Sequence, residues 1–178
     1  HNGCYLRELN TCCSKISGEH TISETVLRRL SKKKIAVSGF PWLKEGETKE
    51  LPFGALTINC LCRAQNSALS GLDTAAGRLF EALDHCTENG VQPAKEFLLS
   101  GHDFERWMLK ILVAMCSSQL LRIDRKAAAL DAGIDHAALI EHPHEWKKPC
   151  GLYFTLKVGT VFNKGNSIDI APVSYTHL

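Results

Sequence analysis

The strongest pattern along this chain is an apolar stripe at helical spacing. Phe104, Trp107, Met108, Ile111, Leu112 and Met115 recur three and four residues apart, which predicts an amphipathic helix over 104–120. Ser100 stands where its N-cap is expected. A second stripe, Val26, Leu27 and Leu30, follows Ser23 and Glu24. A capping residue and a first-turn acid there predict a short helix. Upstream, Gly3, Asn10 and Gly18 punctuate a segment that reads as loop through 1–20. Residues 35–38 and 56–58 are short apolar runs and read as strands. Between them, 39–42 forms an aromatic turn, and the charged stretch 44–50 reads as an exposed loop. A helix is expected over 62–70. Another begins near Asp73, runs to about residue 85 with Leu79, Phe80 and Leu83 inward, and stops at Asn89-Gly90. Two short helices, 125–132 and 135–141, flank Gly133, and Pro143 ends them. Residues 152–161 alternate as a strand, and 163–166 turn into a partner strand over 167–170.

Length and composition narrow the picture only a little. The 178 residues are 44% hydrophobic, which fits one folded domain or two small ones packed together. The expected division is a module over 1–88 and a helical plus hairpin region over 89–172 packed on it. The run 173–178 resembles a translated adapter tail and is left out of the functional argument. Because the chain begins at His1 without methionine, a trimmed N-terminus is expected. Twenty-one basic against nineteen acidic side chains leave a net charge of +2, so overall charge does not announce a nucleic-acid binder. One basic run stands out locally: Arg28, Arg29, Lys32, Lys33 and Lys34. No stretch approaches the ~20 apolar residues a bilayer span needs. The eight cysteines lack regular disulfide spacing, which points to reduced thiols in the cytoplasm, some of them binding metal.

Candidate chemistry is concentrated in two polar segments, 17–23 and 59–66. The first presents Glu19-His20 just ahead of a helix. The second carries Asn59, Cys60, Cys62, Arg63, Gln65 and Asn66 from a strand into a helix. Imidazole suits a general base near neutral pH. The asparagine carbonyl is a hard, neutral donor suited to Mg2+. Cys4, Cys12, Cys13 and Cys62 are candidate zinc ligands.

These segments resemble the HNH, or ββα-metal, endonuclease family. Glu19-His20-Thr21-Ile22-Ser23 is similar to that family's Glu-His-x-x-Pro element, with serine in place of proline. Leu61-Cys62-Arg63-Ala64-Gln65-Asn66 is similar to its Leu-Cys-x-x-Cys-His or Leu-Cys-x-x-His-Asn helix. The resemblance covers residues 4–73. It implies an α+β fold in which a ββα-metal module carries an appended helical region and a C-terminal β-hairpin. It also implies metal-dependent cleavage of nucleic-acid phosphodiesters, with DNA as partner. His20 would be the general base, Asn59 would orient it, and Asn66 would hold a catalytic Mg2+ or Mn2+. Cys4, Cys12 or Cys13, and Cys62 would hold a structural Zn2+. Gln65 departs from the pattern, because an amide is a poor zinc ligand. Arg28, Lys33 and Arg63 would contact backbone phosphates. Two alternatives remain open: a non-catalytic zinc-binding interaction module of the same descent, and a purely structural domain with ordinary core cysteines. Other clusters are read as surface. They are His142-Pro-His144, the Arg106 and Lys110 face, and His102-Asp103, which suits a helix's first turn.

Overall fold

In the computed structural model, the described residues are 2–7, 11–87, 95–123, 126–129 and the single positions 135, 137, 140 and 142. They mix helix and strand in an α+β arrangement. The centre is a pair of antiparallel strands, β1 (Ile16–His20) and β4 (Thr57–Cys62). Ser17 pairs with Leu61 and Glu19 with Ile58, so Asn59 and Cys60 together stand opposite Gly18. That bulge breaks the in-and-out alternation of β4. Cys60, Leu61 and Cys62 are consequently all buried, and α2 (Arg63–Ala68) starts directly from the strand end. The N-terminal segment is stitched to the same strand by Tyr5 N–H donating to the Cys60 carbonyl at 3.0 Å.

Three helices cover this pair. Helix α1 (Glu24–Leu30) follows β1, α3 (Ser70–Thr87) follows α2, and α4 (Gly101–Ser117) packs against α3. One apolar core joins Cys4, Leu6, Cys60, Leu61 and Cys62 to Val26 on α1, Leu72 and Ala76 on α3, and Trp107, Ile111 and Ala114 on α4. A second hairpin, β2 (Lys34–Ser38) with β3 (Thr48–Pro52), packs Ile35 against Leu27, Phe53 and Leu56. A third is short, β5 (Arg122–Ile123) with β6 (Lys126–Ala127). Among the described residues no helix is long and apolar enough to cross a membrane.

Several expectations are corrected. Residues 16–20 form β1 rather than loop, and the end of the charged 44–50 stretch is β3. In both, tertiary pairing supplies what local propensity did not. Helix α3 starts at Ser70, so Asp73 lies in its first turn and is not its cap. Leu83 and Leu112 face outward at 47% and 38% exposure. The inward stripe of α4 instead includes Lys110, Val113 and Ala114. Lys110, expected on a solvated face, is 2% exposed. Lys126 and Ala127 are strand where a helix was expected. Ser100 does cap α4, accepting from the Asp103 N–H at 3.2 Å. The junction at 89–93, most of the helix expected over 135–141, the hairpin over 152–170 and the tail over 173–178 lie outside the described residues.

Candidate functional site

The geometry begins with β1. Its last residue is His20, half-buried, and Asn66 sits one turn into α2. The Asn66 Nδ2 donates to Ser17 Oγ at 2.8 Å and to the Gly18 carbonyl at 3.3 Å. The helix is thereby tied to the strand, and the Asn66 carbonyl oxygen is not used in that tie. Both side chains line one pocket of about 170 Å3, together with Gly18, Glu19, Ser23, Glu24, Thr25 and Asp73. That volume is below the range typical of drug-sized ligands. The lining is rich in hard oxygen donors, the chemistry a divalent cation prefers. His20 Nε2 lies 3.9 Å from a Glu24 carboxylate oxygen, too far for a hydrogen bond.

Asn59 is exposed on β4, at the bulge. A Cβ placed on Gly18 would lie 3.9 Å from Asn59 Oδ1, so the amide stands over the pocket's glycine. Among the described residues no hydrogen bond joins it to His20. The basic candidates are scattered. Arg28 closes on Glu24 and its guanidinium lies 5.8 Å over the Phe53 ring. Lys33 is exposed in the turn before β2, and Arg63 is exposed three residues ahead of Asn66 on α2.

Behind the pocket lies a polar network that the sequence reading missed. The Lys110 ammonium donates to Glu19 Oε1 at 2.6 Å and to both Asp73 oxygens at 3.0 and 2.8 Å. Ser23 Oγ donates to Asp73 Oδ1 and accepts from Trp107 Nε1 at 2.6 Å. This explains why Ser23, at the N-cap of α1, makes no capping bond with its side chain. Burial pushes the Glu19 carboxyl above its ordinary value, and Lys110 opposes that push. The Tyr5 hydroxyl is buried and has no hydrogen-bond partner among the described residues. Its pKa is raised well above 10.0 by burial and by the neighbouring Cys60, Glu19, Cys4 and Asp73. The signal for Lys110 was present in the sequence. It falls three residues after Trp107 and four before Ala114, in the middle of the apolar stripe.

A second centre is sulfur-based. The Sγ atoms of Cys4, Cys12 and Cys62 all lie within 4.8 Å of one another. Burial raises Cys62, but the Gln65 and Cys13 backbone N–H groups and the Cys12 and Cys13 thiols outweigh it, bringing the thiol down to about 6. Burial and its bonds to Cys4 and Cys62 push Cys12 up to about 12. The Cys62 sulfur thus accepts from thiol and amide donors around it. Cys13 stands just outside the trio, its sulfur accepting from Ala64 N–H at 3.4 Å. Cys60 is also outside, pushed up to about 12 by burial and then by Glu19 and Cys4. Gln65 is 3% exposed and its side-chain amide donates to Thr11 Oγ1. The three thiols fit a soft or borderline metal, and among the described residues no fourth cysteine, histidine or carboxylate joins the trio.

No family model, no curated protein and no solved structure matches the chain.

Proposed function

We propose that the chain is a metal-dependent nuclease of the HNH kind, built on a ββα-metal module and acting on DNA phosphodiesters. The observation that carries this reading is that His20 and Asn66 line one pocket, with the Asn66 amide tied to β1. His20 takes the proton of the attacking water as general base. Asn66 would hold Mg2+ or Mn2+ through its carbonyl oxygen, with Glu24 of the same pocket as a further hard donor. When bound, the ion neutralises charge on the scissile phosphate. Asn59 serves the imidazole from the bulge, through water or after a rotamer change, because it makes no direct bond to it. Arg63, with Arg28 and Lys33 further off, meets backbone phosphates. Zn2+ on Cys4, Cys12 and Cys62 would clamp the N-terminal segment to the β4–α2 junction. Free thiols suit a reducing compartment such as the cytoplasm.

The test is direct. Purified protein with Mg2+ or Mn2+ should cut DNA, and His20→Ala should lose about a hundredfold in rate. Equal cleavage by that variant would sink the proposal. A second reading, a non-catalytic zinc-binding interaction module, is favoured by one observation. The thiols converge tightly, whereas Arg28 and Arg29 are engaged by Glu24, Glu81 and Asp84 rather than displayed for phosphate. It predicts one zinc per chain and no cleavage dependent on a divalent cation.

A further inference from the structure

Four elements join in one network around Lys110: the ammonium meets Glu19 of β1 and Asp73 of α3, and Ser23 at the start of α1 links Asp73 to Trp107 of α4. Three of these residues, Glu19, Ser23 and Asp73, also line the pocket that holds His20 and Asn66. Lys110 does not line it and is 2% exposed, so it cannot touch a substrate. Among the described residues its polar contacts are with carboxylates, at 2.6, 2.8 and 3.0 Å. An ammonium there occupies the place between two acids that a small cation would otherwise take. It satisfies Glu19, which is 5% exposed and has no other charged partner of opposite sign among the described residues. Glu19 directly precedes His20, and Asn66 is hydrogen-bonded to Ser17 and Gly18 of the same strand. Whatever fixes β1 against α3 and α4 therefore fixes both pocket groups.

We propose that Lys110 is a positioning residue: by joining Glu19 to Asp73 it sets where β1 presents His20 to the pocket and, through the bonds from Asn66 to Ser17 and Gly18, where α2 presents Asn66. The inference rests on the nuclease reading for its catalytic consequence only. A mere counter-ion has a different signature. Buried ion pairs can be replaced by matched neutral residues with little loss of stability, and if that is all Lys110 does, the pocket should survive the exchange.

The experiment compares Glu19→Gln/Lys110→Met with Glu19→Gln alone, whatever the activity of the latter, in the full chain. In the single variant Lys110 keeps Asp73; in the double variant the carboxylate that loses its cation is Asp73, which is 23% exposed, so that water reaches it, and which keeps the Ser23 hydroxyl. Three quantities are read: the melting temperature, the side-chain amide signals of Asn66 and ring signals of His20 by NMR, and the kcat and KM for DNA with Mg2+. The double variant should melt within a few degrees of the single, yet shift or broaden the Asn66 and His20 signals. Its kcat should fall by about tenfold or more with KM little changed. Unchanged signals and unchanged kcat in a folded double variant overturn the proposal. Should that variant not fold, Lys110→Arg is read in its place, since it keeps the charge and alters the geometry. Retained stability with disturbed signals supports positioning, and undisturbed signals overturn it. If the unsubstituted protein cuts no DNA, the nuclease reading fails by itself, and the NMR signals alone decide the role of Lys110.

Discussion

Exchange of Lys110 for methionine alone should make the stability of this protein depend on pH in a direction that the network dictates. Methionine keeps the length of the side chain and removes the ammonium. Glu19, 5% exposed, then loses the partner that donates to it at 2.6 Å. Breaking a buried pair by removing one member costs about 3–5 kcal/mol, because the other charge stays buried without compensation. Against a typical total of about 5–15 kcal/mol, that is a large fraction. Glu19 can relieve the cost by taking up a proton. Burial already raises its pKa above the ordinary 4.5 while Lys110 pulls it down, so in the variant the upward push is unopposed. A carboxyl whose pKa is higher in the fold than in the unfolded chain favours the fold while protonated. That contribution is full below the unfolded value and is lost as pH rises through the folded one. The stability gap between wild type and variant should therefore be smallest near pH 4.5 and widen upward, by at most about 1.4 kcal/mol per pH unit. Urea unfolding followed by tryptophan fluorescence at about pH 5, 6, 7 and 8 measures the gap. A gap that stays constant across this series, or one below about 1 kcal/mol throughout, would refute the reasoning.

Other consequences are as open to measurement. A Cβ on Gly77 would lie 2.8 Å from Thr25 Cγ2, where α3 crosses α1. Gly77→Ala should therefore destabilise by about 1–3 kcal/mol despite alanine's better helix propensity, and Thr25→Ser in the same chain should recover most of the loss in a urea titration. The protein should bind one zinc with Cys4, Cys12 and Cys62, and Cys62→Ser should abolish stoichiometric binding measured by elemental analysis. Because Cys12 is pushed up to about 12 and must shed its proton to bind, zinc affinity should rise at least about tenfold from pH 7 to pH 8. Equal affinities in a competition with a chromophoric chelator would contradict that. Ser100→Ala should cost about 1 kcal/mol of stability through the lost bond from the Asp103 N–H.

The elements that the sequence made legible are those whose signals are local. The stripe and Ser100 cap of α4, the Ser23–Glu24 start of α1 and the apolar run of β2 each announce themselves within a few residues. β1 and β3 do not. Ile16–His20 contains a glycine, a serine and two ionisable residues, and it is a strand because β4 offers it a partner some forty residues away. Thr48–Pro52 likewise owes its conformation to pairing with β2. Pairing energy of that kind lies in the partner strand, beyond the reach of any window read along the chain.

The site divides along the same line. His20, Asn66 and the cysteines were legible because their side chains are chemically distinctive, and the pocket and the sulfur trio are where those side chains meet. Between Cys12 and Cys13 the sequence offered no choice; in the structure Cys12 lies beside Cys4 and Cys62, and the Cys13 sulfur accepts from the Ala64 N–H at the start of α2. The groups behind the pocket were harder to see. Asp73 and Ser23 each had a sufficient local role as helix caps, and that role hid a tertiary one: Ser23 gives its hydroxyl to Asp73 and Trp107 instead of to its own helix. Lys110 was hidden by a different assumption, that a lysine on an amphipathic helix marks the wet face. Its position in the stripe argued the opposite. A lysine at a core position demands buried anions, and two carboxylates from different elements meet it. The polar residue that interrupts an apolar stripe was thus the most informative sign of where the strand, two helices and the pocket come together, because no apolar neighbour could have held it there.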